Sequence, residues 1–334
     1  MNWKGVMPAI TTCFDPNYNV DYGFMARHCR WLLDHGCAGV IVLGSLGEAA
    51  TLKHEEKLEM LRTCSAAVGG RGPTVAAISA LSTSEAVALA KAAADLGCDA
   101  LMILPPYVYV GDWREMKAHV GAVLKATPLS SMLYNNPVAY GTDFLPQQIR
   151  ELAQEHENLD AVKESSMDVR RVSAIRALLG DEIDVFVGVD DAIVEGIGVG
   201  ATGWVAGLAN ALPRESVDLF NLARNGEREK AFALYRWFLP LLRMDTVPKF
   251  VLENPGVRFS LIHFDCDLYM PTKVALIHLW PFVSRGGVIL FDEYGIPDWP
   301  GETRAVDEFL ATLPNVSLRT LSWNNAPAAY LIKP

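Results

Sequence analysis

A repeated rhythm constrains the fold of this chain more than any other feature. From residue 6 to about residue 212, a short apolar run, a polar or glycine break and a helix-period segment follow one another eight times. Apolar runs at residues 6–12, 39–43, 74–79, 100–104, 130–134, 159–163, 184–189 and 203–207 read as buried strands. Between them, Ser82-Thr83-Ser84-Glu85 and Asp112-Trp113-Arg114-Glu115 carry the spacing of capping boxes. Leu58, Leu61, Cys64 and Val68 recur at helical intervals before Gly69-Gly70. Strands separated by helices run parallel because the crossover brings each strand back in the same direction. Eight such units in about 205 residues fit a (β/α)8 TIM barrel. An open doubly wound sheet gives the same local signals, so the pattern alone leaves both architectures open.

Two further helices are expected over residues 213–225 and 227–243. Past residue 252 the rhythm changes. Glu253-Asn254-Pro255-Gly256 is a turn signal, and four more apolar runs follow at residues 260–264, 287–291, 317–322 and 328–332. Helices are expected between them, over residues 271–283 and 303–313. The chain therefore divides into a barrel with shortened C-terminal helices, residues 1–251, and a partial Rossmann-like α/β fragment, residues 252–334. The fragment is too short for a full α/β domain.

Composition narrows the partners. Apolar residues are 51% and charged residues 20%, as in a globular chain. The formal charge of −10 argues against nucleic acid or an anionic membrane. Cys13, Cys29, Cys37, Cys64, Cys98 and Cys266 have no paired or metal-ligand spacing and read as small buried hydrophobes in a reducing compartment. The N-terminus lacks the pattern of a secretion signal, and no apolar stretch is long enough for a membrane span, so a cytoplasmic location is expected.

The strongest chemical signal is Lys163, which closes the strand Leu159-Asp160-Ala161-Val162-Lys163 at its C-terminal end, where barrel sites are built. Alternation puts Leu159, Ala161 and Lys163 on one face. Burying an ammonium favours the neutral, nucleophilic amine; a lysine that snorkels to solvent or pairs with Glu164 fits the same spacing. Gly44-Ser45-Leu46-Gly47 after the second strand offers backbone N–H groups and a hydroxyl to a carboxylate. Tyr134 ends the fifth strand, as either a proton relay or a packing residue with a wet tip. Asp190-Asp191 after the seventh strand read equally well as a helix cap.

The segments GSLGE (44–48), YNNP (134–137), VKES (162–165) and GVDD (188–191) resemble, in order and spacing, the dihydrodipicolinate synthase / N-acetylneuraminate lyase family over residues 3–251. The resemblance implies a (β/α)8 barrel, usually a homotetramer, acting on a small carboxylate with no metal or organic cofactor. It implies Lys163 as the Schiff-base lysine, Tyr134 as the proton-relay tyrosine, and Gly44, Ser45, Leu46 and Gly47 as the carboxylate loop. Three positions depart from the family's synthase: Leu46 replaces a threonine, Ala139 replaces a carboxylate-binding arginine, and Val108, flanked by Tyr107 and Tyr109, replaces a second relay tyrosine. Loss of that arginine leaves a substrate carboxylate without a bidentate partner, which argues against lysine biosynthesis.

The runs WKGVMPAITT (3–12), GSLGEAATL (44–52), LPPYVY (104–109), WREMKAHV (113–120) and VKESS (162–166) are most similar to Δ1-pyrroline-4-hydroxy-2-carboxylate deaminases of hydroxyproline degradation. The reaction so implied starts with Lys163 adding to the C2 imine carbon. Tyr134 then assists proton removal at C3 and loss of the 4-hydroxyl, and hydrolysis gives ammonia and 2,5-dioxopentanoate. The alternatives are another 2-keto-acid lyase or dehydratase of the family, and a non-catalytic fusion serving assembly or binding.

IHFDCDLYMPTK (262–273), GGVILFDEYG (286–295) and PDWPGETRAVDEF (297–309) resemble the C-terminal half of macrocin-type O-methyltransferases. The resemblance implies Asp265, Asp292 and Glu293 as the acids that hold a divalent metal in those enzymes, a role suited to hard carboxylate oxygens. The glycine-rich turn that holds S-adenosylmethionine is missing from residues 252–334, so methyltransferase activity is not expected.

Overall fold

A computed structural model describes residues 1–106, 109–242, 256–264, 269–292, 294–296, 300–313, 315–320 and 329–334. The chain forms two compact units, Met1–Arg236 and Trp237–Pro334.

In the first unit all eight expected strands form: β1 (Gly5–Pro8), β2 (Val40–Val42), β3 (Thr74–Ile78), β4 (Ala100–Ile103), β5 (Ser130–Asn135), β6 (Leu159–Glu164), β7 (Asp184–Val187) and β8 (Gly203–Ala206). They lie parallel in the order β1-β8-β7-β6-β5-β4-β3-β2. The pairing of Gly5–Pro8 with Gly203–Ala206 joins the first strand to the last. A bridge between Ala9 and Ile41 closes the remaining gap. The first strand was expected to run to Thr12 but ends at Pro8, where its partner changes. The Ala9 N–H still donates to Ala206 on β8 (3.2 Å), whereas the Ile10 N–H donates to Ile41 on β2 (2.9 Å). The sheet is a closed barrel, not an open one.

Outside it lie α1 (Tyr22–Asp34), α2 (His54–Val68), α3 (Thr83–Asp95), α4 (Trp113–Leu124), the one-turn α5 (Pro137–Tyr140), α6 (Pro146–Glu155), α7 (Arg170–Leu179), α8 (Ile193–Gly198), α9 (Pro213–Arg224) and α10 (Arg228–Leu242). The local signals act as expected. Ser82 accepts the Glu85 N–H (3.3 Å), and at α4 both halves of the Asp112–Glu115 box form, at 2.9 and 3.1 Å. The barrel interior is filled by Met7, Val75, Met102, Met132, Ala161 and Phe186 among others. Trp3 lies edge-on to Phe186 and donates to the Ser130 hydroxyl (2.8 Å). Cys29, Cys37, Cys64 and Cys98 are buried free thiols and Cys13 is half-buried; Cys266 lies outside the described residues. Burial pushes the Cys37 and Cys98 thiols up to about 12, which makes them poor nucleophiles.

The second unit has its own core. Strands β9 (Phe259–Phe264) and β10 (Val283–Phe291) pair in parallel across α11 (Tyr269–Leu279). After α12 (Pro300–Leu310), the chain adds β11 (Arg319–Thr320) and β12 (Ala329–Ile332), both antiparallel in the order β11-β12-β10-β9. Ile262, Phe264, Leu276, Ile289, Phe291 and Val306 pack together. Asp265 and Glu293, two of the three acids expected to hold a metal, lie outside the described residues, as do Glu253-Asn254-Pro255 of the expected turn. Asp292 is hydrogen-bonded to His263. Among the described residues no helix is long and apolar enough to cross a membrane.

A Cβ added at Gly203 would lie 2.3 Å from the Phe186 ring in the barrel interior. Gly203→Ala is expected to lower stability by about 1–3 kcal/mol, the usual cost of overpacking, read as a lower denaturation midpoint.

Candidate active site

Parallel pairing makes the site. Tyr134 on β5 and Lys163 on β6 are direct partners in the ladder, so both side chains enter the barrel interior at its C-terminal mouth. Lys163 is only 6% exposed, and its Nζ lies 3.8 Å from the centre of the Tyr134 ring, whose π face receives the positive charge. Glu164, the next residue, points the other way. Its carboxylate accepts from Asn135 Nδ2 (3.0 Å) and from the Ser166 N–H (2.7 Å), so it is not the partner of Lys163.

Gly188, at the end of β7, gives the lysine its room. A Cβ there would lie 2.7 Å from Lys163 Cε and 1.9 Å from Ser165 Oγ. Asp190, which follows, is neither an acid free for chemistry nor the helix cap considered from sequence. It accepts from Trp204 Nε1 (3.0 Å) and from the Gly207 (3.1 Å) and Leu208 (2.9 Å) N–H groups, tying the β7 end to the loop after β8.

The Tyr134 phenol is 6% exposed. Burial raises its pKa, but the nearby Lys163 charge and the hydrogen bond from Asn136 oppose that, and the phenol is held below the ordinary tyrosine value. The Asn136 Nδ2 to Tyr134 Oη distance is 3.0 Å. Asn136 also caps α5, accepting from the Ala139 N–H (3.0 Å), with Pro137 at the first helical position. One turn on, Tyr140 Oη is hydrogen-bonded to Ser45 Oγ, and its ring meets that of Tyr134 edge-on, centroids 5.7 Å apart.

The loop after β2 is strained at its entry, where Leu43 has φ +65°, a left-handed conformation that costs a non-glycine residue about 1–2 kcal/mol. Ser45–Gly47 form a 3-10 turn that already uses the Gly47 and Glu48 N–H groups. The Ser45 and Leu46 N–H groups open that turn and are its first orphan donors. Gly47 faces away from the cavity: its carbonyl accepts from Thr12 Oγ1 (2.6 Å), and a Cβ there would meet Ile10 O at 2.9 Å.

Lys163, Tyr134, Gly44, Ser45 and Leu46 thus line one cavity of about 720 Å³; among the described residues Gly47 does not. Ala139, Tyr140, Asn136 and Gly188 complete the working wall. Lys163 is the sole cationic side chain among the described lining residues, and Glu48 and Asp190 are its carboxylates. Tyr107 and Val108 lie outside the described residues. Sequence reasoning missed Tyr140 and the steric role of Gly188. The Asn136-Pro137 start signal for a helical turn was the one clue to Tyr140. Among the described residues no cluster of three or more His, Cys, Asp or Glu side chains could hold a metal.

Gly188→Ala would force the lysine out of place. Reductive labelling of the Lys163 amine by a carbonyl compound and borohydride is expected to fall at least tenfold, together with a lower melting temperature because the same Cβ overlaps Ser165 Oγ. Labelling at the parental rate would refute the packing argument.

Residues 2–252 match the dihydrodipicolinate synthetase family, and residues 235–315 match the macrocin-O-methyltransferase family. The chain is 31% identical over 253 residues to the 4-hydroxy-tetrahydrodipicolinate synthase of Methanocaldococcus jannaschii, covering 76% of this chain and 85% of the relative. It is 35% identical over 241 residues to the enzyme of that name from Caldicellulosiruptor bescii, covering 72% and 81%. The crystal structure of dihydrodipicolinate synthase DapA-2 from Bacillus anthracis superposes with a TM-score of 0.71 at 28% identity, covering 77% of this chain and 89% of that one. With the closed barrel and its mouth-facing lysine, these matches establish the chain as a member of the dihydrodipicolinate synthetase family of Schiff-base lyases.

Proposed function

We propose that this chain is a Δ1-pyrroline-4-hydroxy-2-carboxylate deaminase with Lys163 as nucleophile and Tyr134 as base. The observation that carries the reading is the charge of the cavity. Lys163 is its one cation among the described lining residues, and Ala139 stands on the wall where the family's synthase has an arginine. If Lys163 is consumed as nucleophile, a substrate with a single carboxylate is favoured, held by the Ser45 and Leu46 N–H groups. A carboxylated aldehyde co-substrate would lack a bidentate partner.

Lys163 Nζ adds to C2 and displaces the ring nitrogen, leaving an iminium between Lys163 and C2. The iminium acidifies C3, whose proton passes to the Tyr134 oxygen as the enamine forms. The enamine expels the 4-hydroxyl as water. A proton then moves from C5 to C3, giving a C4–C5 enamine that tautomerises to a C5 imine; hydrolysis of that imine releases ammonia, and hydrolysis at C2 returns the lysine and releases 2,5-dioxopentanoate. One water is lost and two are consumed, so the net reaction takes up one. A homo-oligomer, tetrameric by the family pattern, belongs to the same reading.

The names of the relatives favour a second reading, in which a pyruvate adduct condenses with a carboxylated aldehyde. The two separate in one assay. The deaminase reading expects ammonia from the pyrroline, an adduct trapped by borohydride on Lys163, and loss of both in Lys163→Ala. Condensation without ammonia release would favour the second reading, and absence of any trapped adduct would refute both.

The lowered phenol pKa sets a pH dependence. Proton exchange at C3 needs the ionised Tyr134 oxygen, so its rate should rise with pH through a midpoint below the usual value of about 10. That limb should vanish in Tyr134→Phe; its survival there would remove Tyr134 from the base role.

A further inference from the structure

The elimination just described needs two proton events of opposite sign. A base takes a proton from C3, and an acid must supply one to the departing 4-oxygen, because hydroxide is a poor leaving group. Tyr134 holds the C3 proton as the enamine forms, and a second phenol beside it offers a separate donor. Resting on the deaminase reading, we propose that Tyr140 is the general acid that protonates the leaving 4-hydroxyl, and that Ser45 resupplies its proton from solvent.

Tyr140 lines the same cavity as Lys163 and Tyr134. Its ring meets the Tyr134 ring edge-on, with centroids 5.7 Å apart and planes at 82°, so the two phenols stand side by side without stacking. One residue fixes both: Asn136 donates to Tyr134 Oη and, by capping the Ala139 N–H, starts the turn that carries Tyr140. The two phenols differ in surroundings. Tyr134 is buried beneath the Lys163 nitrogen, where a positive charge favours loss of its proton. Tyr140 is half-buried and hydrogen-bonded to Ser45, which is exposed at the mouth. The inner phenol is suited to accept a proton and the outer one to give one.

The step balances. The C3–H bond breaks and its proton goes to Tyr134 oxygen. The electron pair forms the enamine and then the C3–C4 double bond as C4–O breaks. Tyr140 gives its proton to that oxygen, so water leaves. Ser45 passes its proton to the Tyr140 oxygen and regains one from bulk water, while Tyr134 later returns its proton to the product side. No oxidant, reductant or further co-reactant is involved.

This assignment also changes the reading of Ser45. Its hydroxyl is engaged by a phenol, which leaves the Ser45 and Leu46 N–H groups as the loop's donors to the substrate carboxylate.

The test compares Tyr140→Phe and Ser45→Ala with the parent on two substrates, the 4-hydroxy pyrroline and its 4-chloro analogue, whose leaving group departs without a proton. For Tyr140→Phe, ammonia release from the 4-hydroxy compound should fall about 100-fold, the lower range for a positioned acid. On the 4-chloro compound it should stay within threefold of the parent, and the adduct on Lys163 should still be trapped. Ser45→Ala should show a smaller loss, again confined to the 4-hydroxy compound and strongest at high pH, where protons are scarce. Parental ammonia release by Tyr140→Phe overturns the proposal, and so does an equal loss on both substrates, which would mark a packing role. A parent that traps an adduct yet releases no ammonia from either substrate overturns the deaminase reading and this acid with it.

Discussion

Everything at the site depends on closure of the barrel. Each parallel ladder alone would place one or two side chains at a strand end, as any doubly wound sheet does. The β1–β8 pairing and the Ala9–Ile41 bridge bring all eight C-terminal ends around one mouth. Ser45 after β2, Tyr134 on β5 and Tyr140 after it, Lys163 on β6 and Gly188 after β7 thereby line one cavity. The change of partner at Ala9 and Ile10 shows how closure is made. The two residues just past β1 serve two neighbours, donating to β8 with one amide and to β2 with the next.

Within that frame, β6 carries two adjacent charges, and alternation sends them to opposite faces. Outside the barrel, Glu164 meets a prepared set of donors, Asn135 Nδ2 and the Ser166 N–H, while Asn135 Oδ1 accepts from the Phe144 N–H (2.9 Å). A buried carboxylate so bound is structural. Inside, Lys163 meets an aromatic face and a glycine instead of a carboxylate. A carboxylate partner would have held the ammonium as an ion pair. A π face stabilises charge less and leaves the nitrogen open to the cavity. The neighbours of the two residues, more than their own identities, separate the reactive group from the structural one.

Much of this was legible in the chain and some was not, for physical reasons. The strands could be read because parallel strands buried on both faces appear as continuous apolar runs, and the α4 start because Asp112 and Glu115 satisfy each other locally. Closure could not be read, since it depends on contact between residues 5–8 and 203–206, nearly two hundred positions apart. Lys163 stood out by its place on a strand, whereas Tyr140 did not. Its role arises from a turn begun by Asn136 and a contact with Ser45, 95 residues away. Gly188 is an ordinary loop glycine in sequence, and its constraint appears only when Lys163 Cε occupies the space beside it. Asp190 was ambiguous because its acceptors serve backbone N–H groups of the loop after β8, which no local pattern announces.

The second unit shows how little a compact core needs. Its strands alternate: Ile262 and Phe264 of β9, Ile289 and Phe291 of β10, and Leu331 of β12 face the helices, and these positions suffice for a core. The opposite face of the same strands carries Leu261, 58% exposed, and His263. Parallel pairs such as β9–β10 normally have both faces covered. Here β12 and β11 extend the sheet antiparallel, an arrangement that tolerates one open face. Glu308 of α12 ties the helices by accepting from Lys273 of α11 (2.8 Å), and within its own helix it accepts from Arg304 (3.0 Å). The Lys273, Tyr269 and Arg304 bonds hold its carboxyl down to about 2. These features suffice for a core because a βαβ unit with a complete apolar face packs by its own side-chain pattern. Burial requires a pattern of side chains, and catalysis requires a few particular ones. The described residues of the second unit supply the pattern.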